Sequence, residues 1–208
     1  YYLAYFQSYT NTYDSLDKLK AIYAEALSHP QIKGIVVGTR PDCVSDELLD
    51  YFAELSKTVY VMIEYGIEST NDETLRFINR GHNFACAQHA IRETAKRGIK
   101  AGAHLILGLP TENRETILSH ATKISELPLT AIKLHQLQLV RGTVMATQFT
   151  QQPELFNLYT AAEYIDLLID FVERLTPTIA IERFISQSPP HLIIAPEWGL
   201  KNFEFAAK

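Results

Sequence analysis

Ile99-Lys100-Ala101-Gly102-Ala103-His104-Leu105-Ile106-Leu107-Gly108-Leu109-Pro110 is the stretch on which the fold turns. Residues 99–107 read as a strand that stops at Gly108-Leu109-Pro110, because glycine and proline punctuate regular structure. A helical pattern over 84–97 precedes it and ends at Gly98, a residue suited to the left-handed position just past a helix. Another helical pattern, over 114–126, follows. A strand between two helices, closed by a tight turn, is the repeating unit of an α/β protein.

The same unit recurs in both directions along the chain. Toward the N-terminus, Val59 to Ile63 reads as a strand running into Glu64-Tyr65-Gly66-Ile67-Glu68-Ser69, with Thr70 and Glu73 at capping-box spacing for the next helix. Gly34-Ile35-Val36-Val37-Gly38 is apolar throughout, as in a buried parallel strand. The turn Thr39-Arg40-Pro41-Asp42 follows it, and Ser45 then caps a helix carrying Leu48, Leu49, Phe52 and Leu55. Leu3-Ala4-Tyr5-Phe6 is the first strand, and Leu16, Leu19, Ile22, Tyr23, Ala26 and Leu27 recur at helical spacing after it. Toward the C-terminus, residues 131–139 form a fifth strand. A long helix over 158–175 has Ile165, Leu168, Ile169 and Val172 on one side, and residues 178–181 form a sixth strand. The tail, 191–208, has an apolar run and a short helix.

Repeated strand–helix alternation implies parallel strands joined by right-handed crossovers. The fingerprints GxGxxG and GxxxxGK[ST] are absent. A complete eightfold barrel takes ~250 residues, so six strands in 208 residues predict a partial (β/α) barrel with a core over 1–185 and a C-terminal extension over 186–208. The hydrophobic fraction of 47% and charged fraction of 21% are globular values. A net charge of −5 argues against a broad grip on nucleic acid. No apolar run approaches the ~20 residues of a membrane span, and no signal-peptide layout is present, which makes cytoplasmic the expectation. Cys43 and Cys86 are too few for a disulfide framework or a four-thiolate site and read as buried thiols. A first residue of Tyr rather than Met predicts a processed protein or a piece of a longer one.

In α/β sheets ligands gather at the carboxyl ends of the strands. Glu64 and Glu68 stand there directly after an apolar run, where a carboxylate must pair with a cation, face a cavity or bind ligand hydroxyls. Arg40 and Lys133 are the candidate partners of Glu64. Arg80, in Ile78-Asn79-Arg80-Gly81-His82, can return to the same mouth and offer a guanidinium to a carboxylate in two-point geometry. Gly108 and Gly142 allow close backbone approach. His104 reads either as a core histidine or as a ligand contact. The parity of His135 on its strand is ambiguous. Tyr1, Tyr2, Tyr5, Tyr9 and Tyr13, with no basic residues between them, read as core and mouth packing.

Gly108-Leu109-Pro110 after Leu105-Ile106-Leu107, together with Ile78-Asn79-Arg80-Gly81-His82, resembles the radical SAM superfamily. The likeness is to the division holding the Elongator catalytic subunit and oxygen-independent coproporphyrinogen oxidase. Thr39-Arg40-Pro41-Asp42 is similar to the Elongator-type turn, and Gln7 to Thr12 stands where that division has a glycine-rich strand end. Tyr5-Phe6-Gln7, Thr10-Asn11-Thr12-Tyr13, residues 38–43, Leu192-Ile193-Ile194-Ala195-Pro196 and Trp198 look closest to a bacterial branch of unassigned substrate. The resemblance covers nearly the whole chain and rests on five motifs in order.

It implies S-adenosylmethionine and a [4Fe–4S] cluster as cofactors, an electron donor as partner, and a substrate that is either tRNA or a small metabolite. It implies that Gln7, Ser8 and Thr10 contact the amino group through backbone and that Arg80 binds the methionine carboxylate. Glu68 stands where relatives often carry Gln near the ribose, and His104 where some carry a ribose-binding Asp. Gly38 replaces a ligand-contacting Glu, and Leu139 and Val140 line the adenine. With Arg40, Glu64 and Gly108 these are the candidate cofactor contacts. The family's CxxxCxxC is absent. Because residues 3–6 align with the family's second strand, the first βα unit and the cluster ligands are expected upstream. The chain alone is then expected to be inactive, with an exposed edge beside Leu3 to Phe6. Two alternatives stand beside this one: a metal-dependent barrel hydrolase using Zn²⁺ on His104, His135 and Glu64, and a non-catalytic RNA- or protein-binding barrel.

Overall fold

A computed structural model of the chain describes residues 1–7 and 9–207, without the side chain of residue 202. Ser8, one of the expected contacts, lies outside them. The elements alternate from the start: β1 (Tyr2–Phe6), α1 (Leu16–Leu27), β2 (Ile32–Thr39), α2 (Asp46–Ser56), β3 (Tyr60–Glu68), α3 (Asp72–Phe77), α4 (Phe84–Lys96), β4 (Lys100–Leu107), α5 (Arg114–Ser125) and β5 (Ala131–Gln136). After these come β6 (Leu139–Val140), α6 (Val144–Gln151), α7 (Ala161–Arg174), β7 (Ala180–Arg183), β8 (Ile193–Ala195) and α8 (Asn202–Ala206).

The main sheet has the order β1-β2-β3-β4-β5-β7, and the pairs β1/β2, β2/β3 and β5/β7 are parallel. A doubly wound sheet reverses its strand order at a switch point. Here the order follows the chain without reversal, which is the order of (β/α)-barrel strands. The fold is α/β, of the partial-barrel kind, and β1 is a terminal strand of the order. Contacts divide the chain into two compact units: residues 1–67, 85–103 and 127–130, and residues 68–84, 104–126 and 131–208.

In the first unit, α1 and α2 cover one face of the strands with Leu19, Tyr23, Leu48, Leu49 and Phe52, all buried. Tyr23 meets Phe6 edge-on at 5.2 Å and Phe52 at 5.2 Å. The Ser45 side chain accepts from the Leu48 amide, capping α2 as its sequence predicts. Alternation along β3 sends Tyr65 toward α4, where its hydroxyl bonds Thr94 Oγ1 at 2.7 Å; Glu64, one residue earlier, takes the opposite face. In the second unit, Leu109, Leu137, Leu139 and Phe156 form a cluster against which Met145 and Ile194 pack. The C-terminal residues join it through Trp198, which donates to the Tyr159 carbonyl at 3.0 Å and stacks on Phe205.

Several expectations are corrected. β3 runs through Glu68, so both carboxylates are strand residues rather than loop residues. Asn71, not Thr70, caps α3 by accepting from the Glu73 amide, because Thr70 is occupied with His120. The fifth strand ends at Gln136, and Leu139–Val140 pair instead with Ile193–Ala195. α7 buries Tyr164, Leu167, Leu168 and Phe171, while Ile169 is 54% exposed. Tyr1, Tyr2, Tyr9 and Tyr13 are exposed rather than packed. Cys43 and Cys86 are half-buried rather than buried.

Candidate cofactor-binding site

In the first unit the ends of β1 and β2 are tied by Asn11. Its Nδ2 donates to the carbonyls of Phe6 at 3.0 Å and Gly38 at 2.8 Å. The Tyr23 hydroxyl donates to the Asn11 carbonyl at 2.6 Å. A Cβ on Gly38 would meet the Phe6 carbonyl at 3.2 Å, so the missing side chain lets the two strand ends close. Asn11 therefore shapes the segment that carries Gln7 and Thr10, which the residue-type signals did not single out. Thr12 Oγ1 donates to the Cys43 carbonyl at 2.6 Å and holds the following turn. Glu64 is 3% exposed. The Tyr5 hydroxyl donates to its Oε2 at 2.7 Å. Arg40 makes a two-point contact with Asp42 at 2.9 and 2.6 Å, which turns its guanidinium to its own loop.

In the second unit, Glu68 ends β3 and Arg80 follows α3, and the structure brings them together at 3.4 Å. Their side chains are 17% and 22% exposed. Glu68 has φ +70° and Asn79 φ +52°. Both therefore sit in the left-handed region that a residue with a Cβ enters only at a cost. Burial pushes the Glu68 carboxyl above its ordinary range, and Arg80 and His104 each pull it back. His104 and His135 face each other from β4 and β5 with ring centroids 5.5 Å apart, which settles the parity of His135. Gly108 has φ +91°, and a Cβ there would touch the Tyr159 ring at 3.4 Å. Leu139 is fully buried in the apolar cluster, so its side chain is committed to packing; Val140 is half-buried.

This donor set fits S-adenosylmethionine in its charge pattern. In the second unit a half-buried guanidinium suits the methionyl carboxylate, and the Glu68 carboxylate suits hydroxyl donors. It does not fit an iron–sulfur cluster. Among the described residues no group of three His, Cys, Asp or Glu could hold a metal ion, and such clusters are held by thiolates. His104, His135 and Glu64 do not form a zinc site, so the metal-hydrolase reading is not favoured.

The sequence family described as the radical SAM superfamily matches residues 3–124, and the Radical_SAM C-terminal domain matches residues 129–208. The uncharacterized protein YtqA of Bacillus subtilis is 33% identical over 203 residues, 98% of this chain and 62% of that protein. The chain therefore spans less than two thirds of that relative. Among solved structures, Elp3 of Methanocaldococcus infernus superposes with a TM-score of 0.68 at 20% identity, over 87% of this chain and 42% of that one. Coproporphyrinogen III oxidase of Escherichia coli superposes with a TM-score of 0.64 at 16% identity, over 81% and 38%.

Proposed function

The chain belongs to the radical SAM superfamily, and from that premise we propose that it is the S-adenosylmethionine-binding portion of a radical SAM enzyme whose cluster ligands lie outside these 208 residues. S-adenosylmethionine and a [4Fe–4S] cluster are the cofactors of this superfamily. Bound there and reduced by one electron, S-adenosylmethionine would supply radical hydrogen-abstraction chemistry. The chain's own residues bind and orient. Arg80 takes the methionyl carboxylate. Backbone around Gln7 and Thr10, shaped by Asn11, takes the amino group. Glu68 and His104 take ribose hydroxyls, and backbone near Gly108 and Val140 flanks the adenine. Glu64, which accepts from the Tyr5 hydroxyl, belongs to this proposal as a further contact. An external electron donor and a location in the cytoplasm belong to this proposal. Among the described residues no helix is long and apolar enough to cross a membrane. For the substrate, tRNA and a small metabolite remain the two classes, and the net charge of −5 weighs against these residues gripping tRNA by themselves.

The observation that carries the reading is the Glu68–Arg80 pair placed by a family-matched segment. Calorimetry with the protein expressed from the whole gene should show S-adenosylmethionine binding. Arg80→Ala removes a charge-assisted contact of about 1.5–3 kcal/mol, a loss of roughly 10- to 100-fold in affinity. The anaerobically reconstituted protein should release 5′-deoxyadenosine with dithionite. Absence of both binding and release would sink the reading.

A further inference from the structure

Among the buried polar side chains of the second unit, Ser69, Thr70, Glu112 and His120 form a network outside the ligand contacts above. Ser69 Oγ donates to Glu112 Oε1 at 2.5 Å and accepts from the Asn71 amide at 2.9 Å. Thr70 Oγ1 lies 2.7 Å from His120 Nδ1, and His120 Nε2 lies 3.2 Å from the same Glu112 Oε1. His120 is 0% exposed. Thr111 (φ +75°) sits beside Glu112, and its hydroxyl bonds Thr74 of α3 at 2.9 Å. The Lys123 ammonium adds a longer contact of 3.5 Å to the Thr70 carbonyl.

The placement of this network matters more than its size. Ser69 and Thr70 immediately follow Glu68, the residue held at φ +70°. A non-glycine residue persists there only when its surroundings over-determine it. The two residues after Glu68 are each tied to a different point: one to the loop after β4 through Glu112, the other to α5 through His120. Asn71, the next residue, caps α3, and Arg80 closes that segment by donating its amide to the Leu75 carbonyl at 2.9 Å. The conformation of Glu68 and the origin of the helix that delivers Arg80 are therefore set from the same four side chains. The matched bonds are those of Ser69, Thr70 and Glu112 Oε1, while Glu112 Oε2 and His120 Nε2 are buried with no hydrogen-bond partner among the described residues.

We propose that Glu112 and His120 are positioning residues for cofactor recognition: a buried lock, acting through Ser69 and Thr70, that holds Glu68 in its left-handed conformation and sets the Glu68–Arg80 pair for the methionyl end of S-adenosylmethionine. The ligand half of the proposal rests on the function proposed above. The lock itself rests only on the geometry.

The test uses the protein from the whole gene, with S-adenosylmethionine as probe. Glu112→Ala should weaken binding by about 10-fold or more, as loss of supporting partners does around other sites. Glu112→Gln keeps an oxygen that accepts from Ser69, so its affinity should stay within about 3-fold of wild type. A role confined to stability would lower the melting temperature of Glu112→Ala while its folded fraction bound normally; affinity within about twofold of wild type overturns the ligand half. Should Glu112→Ala not fold, Ser69→Ala removes one hydroxyl at the same junction and is read the same way. Amide hydrogen exchange of the unliganded protein reads the lock directly. Residues 68–80 should exchange faster in Glu112→Ala, or in Ser69→Ala, while α7 is unchanged, and unchanged exchange at 68–80 overturns the lock. If wild type shows no S-adenosylmethionine binding, the functional reading fails, and the exchange result still decides the lock.

Discussion

Glu68 carries two burdens at once, a left-handed backbone and a carboxylate displaced from water. Its ordinary value is 4.5, and in the folded protein burial raises it. Below the ordinary value the carboxyl is protonated in both folded and unfolded chains. As pH climbs, the unfolded chain releases its proton first, and the native state, which holds the proton longer, loses that share of stability as pH passes through the raised value. Glu68→Gln has no such titration. The unfolding free energy of Glu68→Gln minus that of wild type should therefore grow more positive between about pH 4 and pH 7. Urea melts at the two pH values check this, and a difference independent of pH would show that the native carboxyl is not displaced. Arg80 was legible in the sequence as a cation returning to the strand ends. The φ of Glu68 was not, since nothing in the local pattern around it marks a left-handed residue.

The clearest lesson at the scale of elements lies in α7. Its apolar residues are dense enough that spacing alone admits more than one face. Leu168 lies on the buried face by either reading, but the structure turns the helix so that Tyr164, Leu167 and Phe171 share that face and Ile169 does not. The turn is fixed by contacts the spacing cannot contain: the Tyr164 hydroxyl donates to the Phe184 carbonyl at 3.1 Å, and its ring meets Trp198 at 5.1 Å. Phe171→Ala should cost about 3–5 kcal/mol, whereas Ile169→Ala should cost under about 1 kcal/mol. Chemical denaturation of both variants checks the orientation, and equal losses would contradict it. The N-terminus of α7 is closed by a capping box in which Thr160 and Glu163 bond each other's backbone. It starts the helix at Ala161, later than the 158 that the apolar spacing predicts.

For the whole molecule, the decisive feature is that the order of the main sheet follows the chain. This separates barrel strands from a doubly wound sheet where strand–helix alternation alone did not. The superfamily match covers the chain from residue 3 to residue 124, yet no cluster of metal-binding side chains occurs among the described residues. Cys43 and Cys86 should therefore be dispensable for the cluster. The double variant Cys43→Ser/Cys86→Ser, made in the protein from the whole gene, should retain wild-type iron and sulfide after anaerobic reconstitution. Loss of iron on removing either thiol would place a cluster ligand inside this chain.

The order of strands and helices through α5, the turn after β4, the cap at Ser45 and the arginine at position 80 were all readable from the sequence. Each depends on residues close in sequence: a period of two or of 3.6, a glycine or proline at a turn, a side chain that satisfies its neighbours' amides. The tertiary structure alone decided that Tyr5 holds Glu64, that Arg40 turns to Asp42 and that His104 faces His135. It alone decided that Glu112 and His120 brace the residues beside Glu68. These contacts, apart from the Arg40 turn, join residues 31 to 59 positions apart in the chain. Competition among several polar partners for one buried donor or acceptor is resolved only when the strands bring a particular pair within hydrogen-bond reach.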